Sequence, residues 1–541
     1  MDYDAVLDEI GSFGKFQIKI LLWICLPVLY GAANAVSYVF IARTPPYRCF
    51  VDQCEQFESA KYNQDWLQYA VPGSISSGQF VPDSCYKYSF NSTGLTGNNT
   101  CVADLFGKQR EKCTSWIFDE NEVTMINDWP SEMTCPENEW KLALIGTANF
   151  AGVMIGSAIF GFLADLYGRR MMFIASLAFM SLTGIGQAVS SSYMMLLIFT
   201  LLNAAGTAGI YFSVFVLIIE MLHKSKREMS SVLLNYFFAI GGALVGIIAY
   251  FERNWRNLTL WIAAPPIIFV IDYWLIPESA CWLIANKFYT KAFKIIQKAA
   301  KDNKKELSAS IVSQFKGTNI DINISSDSLS QSSQTEIRSK NNYVAILKSR
   351  KLVLRCLVLF FVWGTNSLVF YGLSLYSVSL SGNIYLNFMY VSLAEIPGIT
   401  IAWLTMNRIG RKSPLIMSFI SCGACCIIGA FISEDLVWLQ ILIFLVSKMA
   451  ISTSFTITSV YTAEMMPTNM RSGCVGTFST VARLSSLLAP FIPLLKNFHN
   501  SLPLTVFGSF SLASGLMSML LPETFGSNLP DTVQEAENIG T

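Results

Sequence analysis

Long apolar runs alternate with short polar connections along almost the whole chain. A run of about 18 or more apolar residues can cross the hydrocarbon core of a bilayer as a helix. Twelve runs reach this length, so the sequence predicts an all-α membrane protein with twelve transmembrane helices. The predicted helices lie near residues 18–42, 143–165, 171–190, 194–219, 230–250, 258–276, 352–376, 383–405, 413–432, 436–460, 473–495 and 503–521.

The composition agrees with a bilayer as the surroundings of the chain. Charged residues make up 14% and apolar residues 52% of the chain, and the mean hydropathy is +0.44, whereas soluble domains carry about 25% charged residues. The net charge of +1, without a basic domain, argues against a nucleic-acid partner. The first apolar run follows an acidic stretch and is long enough to span, so no cleavable signal peptide is predicted.

Three charged motifs occur twice, in the same order and about 245 residues apart. The pairs are Asp165-x-x-Gly-Arg-Arg170 with Asn407-Arg-x-Gly-Arg-Lys412, Glu220/Arg227 with Glu464/Arg471, and Pro277-Glu-Ser279 with Pro522-Glu-Thr524. The repeat predicts two pseudo-symmetric six-helix halves, 18–276 and 352–521. Paired halves around a central site are the architecture of alternating-access transporters.

The distribution of lysine and arginine predicts the orientation. These residues collect in the loops that follow the second, fourth, eighth and tenth predicted helices, and the positive-inside rule places such loops in the cytosol. Both termini are then cytosolic, as segments 1–17 and 522–541. The loop 277–351 is cytosolic as well, and the segment 43–141 faces the outside.

The outer segment 43–141 is rich in cysteine. Its six cysteines predict three disulfides in an oxidising compartment, with fifteen pairings open, and two N-glycosylation sequons begin at Asn91 and Asn98. An intracellular metal site is the alternative, but neither histidine of the chain lies in this segment. The cysteines are Cys49, Cys54, Cys85, Cys101, Cys113 and Cys135.

The cytosolic loop between the halves divides in two. Residues near 285–307 place lysines opposite apolar side chains and predict a basic amphipathic helix that lies against the inner leaflet or the helix bundle. Residues 308–342 are rich in Ser, Asn, Gln and Lys, and this composition predicts a disordered tether.

The repeated motifs carry acidic residues in step with basic ones at the cytosolic helix ends. Ion pairs between neighbouring ends can hold the inner mouth shut and separate when it opens. Positive-inside anchoring is the alternative, but it does not account for the acidic residues. The residues assigned to this cytosolic gate are Asp165, Arg169, Glu220, Arg227, Glu278, Arg411, Glu464, Arg471 and Glu523.

Three ionisable residues fall near the middle of predicted helices, and all three lie in the second half: Glu395, Lys448 and Arg483. A charge at this depth costs several kcal/mol unless it faces a cavity or a partner. Two interpretations remain open. Glu395 forms a structural bridge with Lys448 or Arg483, or the three residues line a central cavity and bind the charges of a substrate.

Further motifs are more specific than the repeats. They are Leu7-Asp-Glu-Ile-Gly-Ser-Phe-Gly-Lys-Phe-Gln17, Thr44-Pro-Pro-Tyr-Arg-Cys49, Trp255-Arg256, Pro277-Glu-Ser-Ala-Cys-Trp-Leu283, Tyr461-Thr-Ala-Glu-Met-Met-Pro-Thr468, Leu521-Pro-Glu-Thr-Phe-Gly526 and Leu529-Pro-Asp-Thr532. Together they resemble the major facilitator superfamily and, within it, the organic cation/anion/carnitine transporter family (solute carrier family 22). Leu166 and Cys281 depart from the family pattern, because a basic residue is usual at both positions, and they put the first-half gate in doubt.

The resemblance implies a substrate class. Arg483 occupies a position at which the anion and carnitine members of the family have Arg. Glu395 is similar to an acidic residue that the cation and carnitine branches share. A chain with both charges therefore resembles the carnitine-type branch, which implies zwitterions such as carnitine or related betaines. Arg binds both oxygens of a carboxylate, while a quaternary ammonium requires a carboxylate and aromatic faces. The candidate aromatic residues are Tyr211, Trp363, Phe370 and Tyr371.

The sequence thus predicts a plasma-membrane, multi-pass transporter that functions as a monomer and moves a small organic ion. No phosphate-binding loop, metal-ligand cluster or catalytic constellation appears in the sequence, so neither an enzyme nor a cofactor is predicted. Coupling to Na⁺ or H⁺ stays open. The alternatives are an organic anion or organic cation transporter of the same fold, and a solute sensor that binds without transport.

Overall fold

The computed structural model describes residues 3–11, 13–76, 79–90, 101–309, 312, 315, 349–433, 435–468, 470–527 and 529–539. Helices make up most of this part of the chain. The α-helices are α1 (Tyr3–Ile10), α2 (Lys15–Val36), α3 (Tyr38–Ile41), α4 (Leu67–Ala70), α5 (Met125–Asp128), α6 (Pro130–Met133), α7 (Glu139–Tyr167), α8 (Arg169–Ala188), α9 (Tyr193–Met221), α10 (Lys224–Phe251), α11 (Trp255–Ala263), α12 (Asp272–Leu275), α13 (Ala280–Ala285), α14 (Tyr289–Asp302), α15 (Arg350–Tyr376), α16 (Ile384–Leu393), α17 (Glu395–Met406), α18 (Lys412–Ala430), α19 (Val437–Met465), α20 (Arg471–Ser486), α21 (Leu502–Ser518) and α22 (Val533–Asn538). The 3₁₀ helices are Phe57–Ser59, Ala103–Leu105, Pro136–Asn138, Pro265–Ile271, Ser377–Ser379 and Ala489–Asn497.

Eleven helical segments in the described part of the chain are long and apolar enough to cross a membrane, and they correspond to the first eleven predicted runs. The twelfth run, predicted over 503–521, forms the shorter apolar helix α21 of 17 residues. Pro522 disfavours a helical conformation of the residue before it, and α21 ends ahead of that position. Twelve full-length spans are therefore not confirmed.

Prolines interrupt two of the predicted helices. The run predicted over 258–276 changes to 3₁₀ geometry at Pro265–Ile271, and the run predicted over 473–495 does so at Ala489–Asn497, which contains Pro490 and Pro493. A proline has no N–H to donate and its ring crowds the preceding turn. The hydropathy pattern does not detect these interruptions, because proline hardly alters the apolar character of a run.

The membrane helices pack mainly within their own half. In the first half α9 packs against α7 and α8, and in the second half α18 packs against α19 and α21. The buried apolar side chains form two large clusters, one containing Phe173 and Leu217 of the first half, the other dominated by second-half residues such as Phe419. The second cluster also contains first-half residues such as Phe40 and Phe150, so the apolar core continues across the boundary between the halves.

The outer segment adds β-structure, so the predicted all-α class is wrong for this part of the chain. Three two-stranded antiparallel sheets form there. Short paired strands held by disulfides suit a region with little apolar core of its own. The paired strands are β1 (Tyr47–Cys49) with β6 (Trp116–Phe118), β2 (Gly73–Ser76) with β3 (Gln79–Pro82), and β4 (Tyr86–Phe90) with β5 (Phe106–Lys112).

The six predicted cysteines form three disulfides, as expected. The Cα atoms of the pairs are 5.6, 5.7 and 5.7 Å apart, within the usual range for this bond. The sequons at Asn91 and Asn98 lie outside the described residues. The pairs are Cys49–Cys113, Cys54–Cys101 and Cys85–Cys135.

The basic amphipathic helix predicted near 285–307 is α14, and its apolar face packs against the protein. Ala292, Ile296 and Ala299 are buried in one cluster with Val6 and Ile10 of α1. The sequence predicts that this helix lies against either the inner leaflet or the helix bundle. In the structure its apolar face packs against the bundle. The predicted tether 308–342 falls almost entirely outside the described residues.

The C-terminal tail is attached to the second half. Arg355 of α15 donates hydrogen bonds to the carbonyl oxygens of Ala536 at 2.7 Å and Ile539 at 3.0 Å. Thr468 donates from its backbone N–H to Pro530 O at 2.9 Å. The segment predicted only as a tail over 522–541 therefore holds a short docked helix, α22.

Candidate functional site

Glu395 and Lys448 form an ion pair inside the second half. Glu395 is the first residue of α17 and Lys448 lies within α19. Lys448 Nζ is 3.0 Å from Glu395 Oε1, and the exposed fractions of the two residues are 0% and 7%. Of the bridges that the sequence leaves open for Glu395, the structure forms the one to Lys448.

The ammonium group of Lys448 has two further acceptors, both on α15. Nζ donates to Phe370 O at 3.0 Å and to Ser374 Oγ at 2.8 Å, and it lies 3.4 Å from the centroid of the Phe370 ring. An ammonium carries three N–H donors, and Glu395 with these two acceptors can use all of them. The positive charge of Lys448 is therefore compensated within the second half.

Arg483 has a different environment near the end of α20. Its side chain is only partly buried, and no acidic side chain among the described residues forms an ion pair with it. Its guanidinium carbon lies 4.8 Å from the ring centroid of Phe212, a residue of α9 in the first half. Arg483 is therefore a positive charge at the boundary between the two halves, and it has no ionic partner in the part of the chain that the structure describes.

Aromatic side chains lie on the same boundary. The ring of Tyr371 on α15 is 4.8 Å from that of Phe150 on α7, and 5.2 Å from that of Phe370. Tyr211 is 5.9 Å from the neighbouring Phe212 ring. Phe150, Phe212 and Tyr371 therefore bring rings from both halves to this boundary, and the Phe212 ring contacts the Arg483 guanidinium.

The remaining candidate, Trp363, is buried within the second half. Its Nε1 donates to Thr462 Oγ1 at 2.9 Å, and 6% of the residue is exposed. The predicted site residues therefore separate into three sets. Arg483 and Tyr371 lie at the boundary, and the Tyr211 hydroxyl donates to Asn235 Oδ1 within the first half at 3.2 Å. Within the second half lie Trp363 and the Glu395–Lys448 pair with the partly buried Phe370.

The sequence missed Phe150 and Phe212. Both come from first-half helices that carry many aromatic residues, and no charged neighbour distinguishes them. Phe212 directly follows Tyr211, but consecutive helical residues point in different directions. Only the packing of the two halves reveals that Phe212 faces Arg483 and Phe150 faces Tyr371.

The predicted gate residues of the first half form a compact inner cluster. Arg169 is 3.0 Å from Asp165 and 3.0 Å from Glu220. Glu278 accepts hydrogen bonds from the backbone N–H groups of Arg169 at 3.0 Å and Arg170 at 3.1 Å. These backbone donors start α8, where a carboxylate satisfies N–H groups that have no partner within the helix.

The second half repeats this geometry. Arg411 is 3.0 Å from Glu464, and Glu523 accepts the backbone N–H groups of Arg411 at 2.9 Å and Lys412 at 3.0 Å. Partial burial of the Glu523 carboxylate disfavours its charge, but hydrogen bonds from the backbone N–H groups of Arg411, Phe525, Lys412 and Thr524 outweigh burial and lower its pKa.

Glycine precedes each helix that these carboxylates cap. The backbone φ is +101° at Gly168 and +107° at Gly410, a conformation that glycine adopts without strain. A Cβ would lie 2.5 Å from Glu278 Oε2 at the first position and 2.8 Å from Glu523 Oε2 at the second. The repeated glycines therefore allow the close approach of the capping carboxylates.

The ion pairs of both inner clusters connect helices of the same half. Arg227 Nε donates to Ile219 O and Leu222 O, each at 3.1 Å, and Arg471 donates to Thr468 Oγ1 at 3.3 Å. Leu166, one of the two departures from the family pattern, leaves the first cluster intact, because it is 55% exposed and the Arg169 ion pairs form nearby.

The two halves are in contact at the end of the bundle that carries the cysteine-rich segment. Glu122 of the outer segment accepts a hydrogen bond from Tyr385 of α16 at 2.8 Å and forms an ion pair with Arg43 of the first half. Thr147 Oγ1 donates to Leu487 O at 3.0 Å. A cavity of about 340 Å³ lies beside these contacts and is lined by both halves, from Tyr38 to Asn497.

The described residues contain no group of three or more His, Cys, Asp or Glu side chains that could hold a metal ion. At the half boundary the Arg483 guanidinium contacts the ring of Phe212, and the rings of Phe150 and Tyr371 meet across the same boundary. These groups can bind an organic ion by charge, hydrogen bonding and ring contact.

One family model and several curated relatives match the chain over most of its length. The model of the family "Sugar (and other) transporter" matches residues 88–534. The organic cation transporter protein of Drosophila melanogaster is 31% identical, with 100% of this chain and 95% of that protein covered. The human organic cation/carnitine transporter 2 is 29% identical, with 99% and 94% covered.

Solved structures support the fold. The xylose transporter XylE from E. coli, in a partially occluded inward-open conformation, matches with a TM-score of 0.63 at 15% identity. The match covers 95% of this chain and 100% of the XylE chain. The chain therefore belongs to the organic cation/anion/carnitine transporter family, solute carrier family 22, of the major facilitator superfamily, and it is a multi-pass membrane transporter rather than an enzyme.

Proposed function

We propose that this chain is a plasma-membrane transporter that works as a monomer and carries small zwitterionic organic ions, such as carnitine or related betaines, by alternating access. The observation that carries the proposal is Arg483, a partly buried guanidinium that faces Phe212 of the opposite half and has no ionic partner among the described residues. The name of the human relative, organic cation/carnitine transporter 2, supports the same substrate class.

Arg483 binds the carboxylate of the substrate in this proposal. An unpaired charge within a membrane protein is costly unless a cavity or a partner compensates it, and a substrate carboxylate provides that partner. The planar guanidinium donates two parallel hydrogen bonds to a carboxylate. Because Arg483 lies between the halves, a solute bound there contacts both of them and is released when they separate on one side.

The cationic end of the substrate meets aromatic rings. A quaternary ammonium cannot donate hydrogen bonds and is attracted to the faces of aromatic rings. Tyr371, Phe150 and Phe212 bring such rings to the half boundary. Glu395 contributes a weaker attraction, since Lys448 compensates its charge at 3.0 Å.

The buried Glu395–Lys448 pair also favours a second candidate, an organic anion transporter. If the pair is electrically neutral, the positive charge of Arg483 dominates the site, which suits a substrate with a carboxylate and no cationic group. The two candidates differ in what they require of Glu395. A zwitterion carrier needs its negative charge, whereas an anion carrier does not.

Uptake of labelled carnitine into cells that express the chain tests the proposal. Arg483→Ala should reduce uptake at least about tenfold, because a charge-assisted bidentate contact is lost, and Arg483→Lys should retain part of it. The exposed Arg350 at the start of α15 gives the matched control Arg350→Ala, which should transport normally. Unchanged uptake by Arg483→Ala at equal surface expression would refute the assignment.

Glu395→Gln separates the two candidates. Uptake of carnitine should fall while uptake of a simple organic anion persists if zwitterions are the substrate. Because this substitution leaves the Lys448 charge without its partner, the double variant Glu395→Gln/Lys448→Met controls for damage to the fold. Comparing uptake in sodium, lithium and acidic buffers tests coupling to Na⁺ or H⁺.

The two inner clusters act as the cytosolic gate in this proposal. Each holds the cytosolic helix ends of one half together through the Arg169–Glu220 and Arg411–Glu464 pairs, so that each half moves as a unit when the inner mouth opens and closes. Glu464→Gln should change the maximal rate of uptake more than the KM for carnitine. An altered KM at an unchanged maximal rate would contradict this role.

A further inference from the structure

Helix α14 presents a row of lysines on the side opposite its buried face. Lys291, Lys294, Lys298 and Lys301 follow each other at intervals of three or four residues and are all exposed, while Ala292, Ile296 and Ala299 are buried on the other side of the helix. We call these four lysines the lysine face. Its charges are not needed for packing, because the apolar side of α14 already contacts the protein.

The helix that carries the lysine face is fastened to the first membrane helix. Asn303, directly after α14, accepts a hydrogen bond from Phe16 N at 2.9 Å and donates to Gln17 Oε1 at 2.9 Å and Ile10 O at 3.1 Å. Phe16 and Gln17 belong to α2. A force on the lysine face is therefore transmitted to the start of a transmembrane helix.

The lysine face lies close in sequence to exposed aromatic residues that suit a membrane surface. Trp274, in the last turn of a candidate membrane span, is 74% exposed, and Phe288, just before α14, is 47% exposed. Tryptophan and other aromatic residues are enriched where a helix leaves the bilayer. The Lys291 ammonium lies 5.3 Å from the centroid of the Phe288 ring, so the first lysine of the row lies beside an aromatic residue of this kind.

We propose that the lysine face binds anionic phospholipid headgroups of the cytosolic leaflet. A cluster of four to eight basic residues beside a membrane helix, or on an amphipathic helix, attracts anionic lipids, and each lysine near the surface adds to the affinity. Exposed Lys287, Lys304 and Lys305 flank the row and enlarge the basic surface. Bound lipid holds α14, and through Asn303 it holds the cytosolic end of α2.

Headgroup binding differs from insertion of an amphipathic helix into the bilayer. Insertion requires a free apolar face, and the apolar face of α14 packs against α1 and the first half. The attraction is therefore electrostatic and should weaken with salt. It concerns the lipid around the protein and does not depend on the identity of the transported solute or on Arg483.

The test uses the purified full-length chain in a detergent without charge, titrated with dioctanoyl phosphatidylinositol 4,5-bisphosphate. The triple variant Lys294→Gln/Lys298→Gln/Lys301→Gln should bind this lipid at least about tenfold more weakly than the unmodified chain. The matched control removes three exposed charges from the outer segment, through Lys61→Gln/Lys108→Gln/Arg110→Gln, and should bind as the unmodified chain does.

Three outcomes would overturn the proposal. The first is that the lysine-face variant binds the lipid as tightly as the unmodified chain does, and the second is that the outer control loses as much lipid affinity as the lysine-face variant. The third is that the unmodified chain binds soluble inositol trisphosphate as tightly as the lipid, which would indicate a site for free phosphate. As a second readout, carnitine uptake into vesicles with phosphatidylserine should exceed uptake into vesicles of phosphatidylcholine for the unmodified chain, and this difference should shrink in the variant. If carnitine proves not to be a substrate, the lipid titration still tests the lysine face.

Discussion

Replacement of Lys448 distinguishes a structural charge from a substrate-binding one. In Lys448→Met the carboxylate of Glu395 loses the ammonium at 3.0 Å, and Phe370 O and Ser374 Oγ lose their donor. Removing one partner of a buried ion pair costs about 3–5 kcal/mol, because the other charge stays buried without compensation. We expect Lys448→Met to destabilise the second half by about that amount.

Arg483→Met should have a much smaller effect on stability. Its guanidinium contacts the Phe212 ring and has no ionic partner among the described residues, so its removal leaves no buried charge behind. Substitutions without such a consequence usually change stability by less than about 1 kcal/mol. Arg483→Met should therefore fold normally and lose carnitine uptake, whereas Lys448→Met should lose stability first.

The assay is the midpoint of thermal unfolding of the purified chain, followed by the recovery of monodisperse protein after heating. A loss of about 3 kcal/mol lowers Tm by roughly 10 °C for a unit the size of one half. The double variant Lys448→Met/Glu395→Gln should recover much of this loss, because a neutral pair is less costly to bury than a single charge. Equal losses of Tm in Lys448→Met and Arg483→Met would refute the reasoning.

Three further predictions concern the inner clusters and the outer segment. Glu523 has a lowered pKa in the folded chain, so its contribution to stability is complete above the ordinary glutamate pKa of 4.5 and is lost as pH falls through the lower folded value. The difference in Tm between the unmodified chain and Glu523→Gln should therefore shrink on acidification below pH 4.5. A constant difference would contradict the prediction. Gly410→Ala should destabilise the second half by at least about 1 kcal/mol, because φ is +107° there and the new Cβ would lie 2.8 Å from the Glu523 carboxylate. Gly476→Ala is the control in the same unfolding assay, because no neighbouring atom lies within 4 Å of a Cβ at that position. The double variant Cys49→Ser/Cys113→Ser opens a loop of 64 residues and should lower the free energy of unfolding of the outer segment by about 4 kcal/mol. The loss should appear as faster cleavage of the chain when protease is added to the outside of intact cells. Protease resistance equal to that of the unmodified chain would argue against a stabilising bond.

The sequence predicted most of the membrane helices. Eleven predicted spans appear in the structure. Hydropathy is a local property of about 18 consecutive residues, so an apolar run of that length can be recognised without knowledge of the fold. The repeated Gly168 and Gly410 motifs likewise predicted a repeated local structure, since the same short sequence caps the same kind of helix end.

The details that depend on local backbone chemistry were harder to predict. Prolines changed two predicted helices to 3₁₀ geometry over part of their length, and the strands of the outer segment are too short to show a clear alternation of apolar and polar residues. The composition correctly predicted three disulfides, but their pairing needs the distances between cysteines.

Only the tertiary structure decided how the three mid-membrane charges are used. The sequence placed Glu395, Lys448 and Arg483 at similar depths and left open which of them pair. Pairing depends on the rotation and packing of α15, α17 and α19, which bring Glu395 to Lys448 at 3.0 Å and leave Arg483 facing Phe212 of the other half. Residue depth is a property of one helix and can be predicted from its sequence, whereas compensation of a charge is a property of several helices and requires their packing.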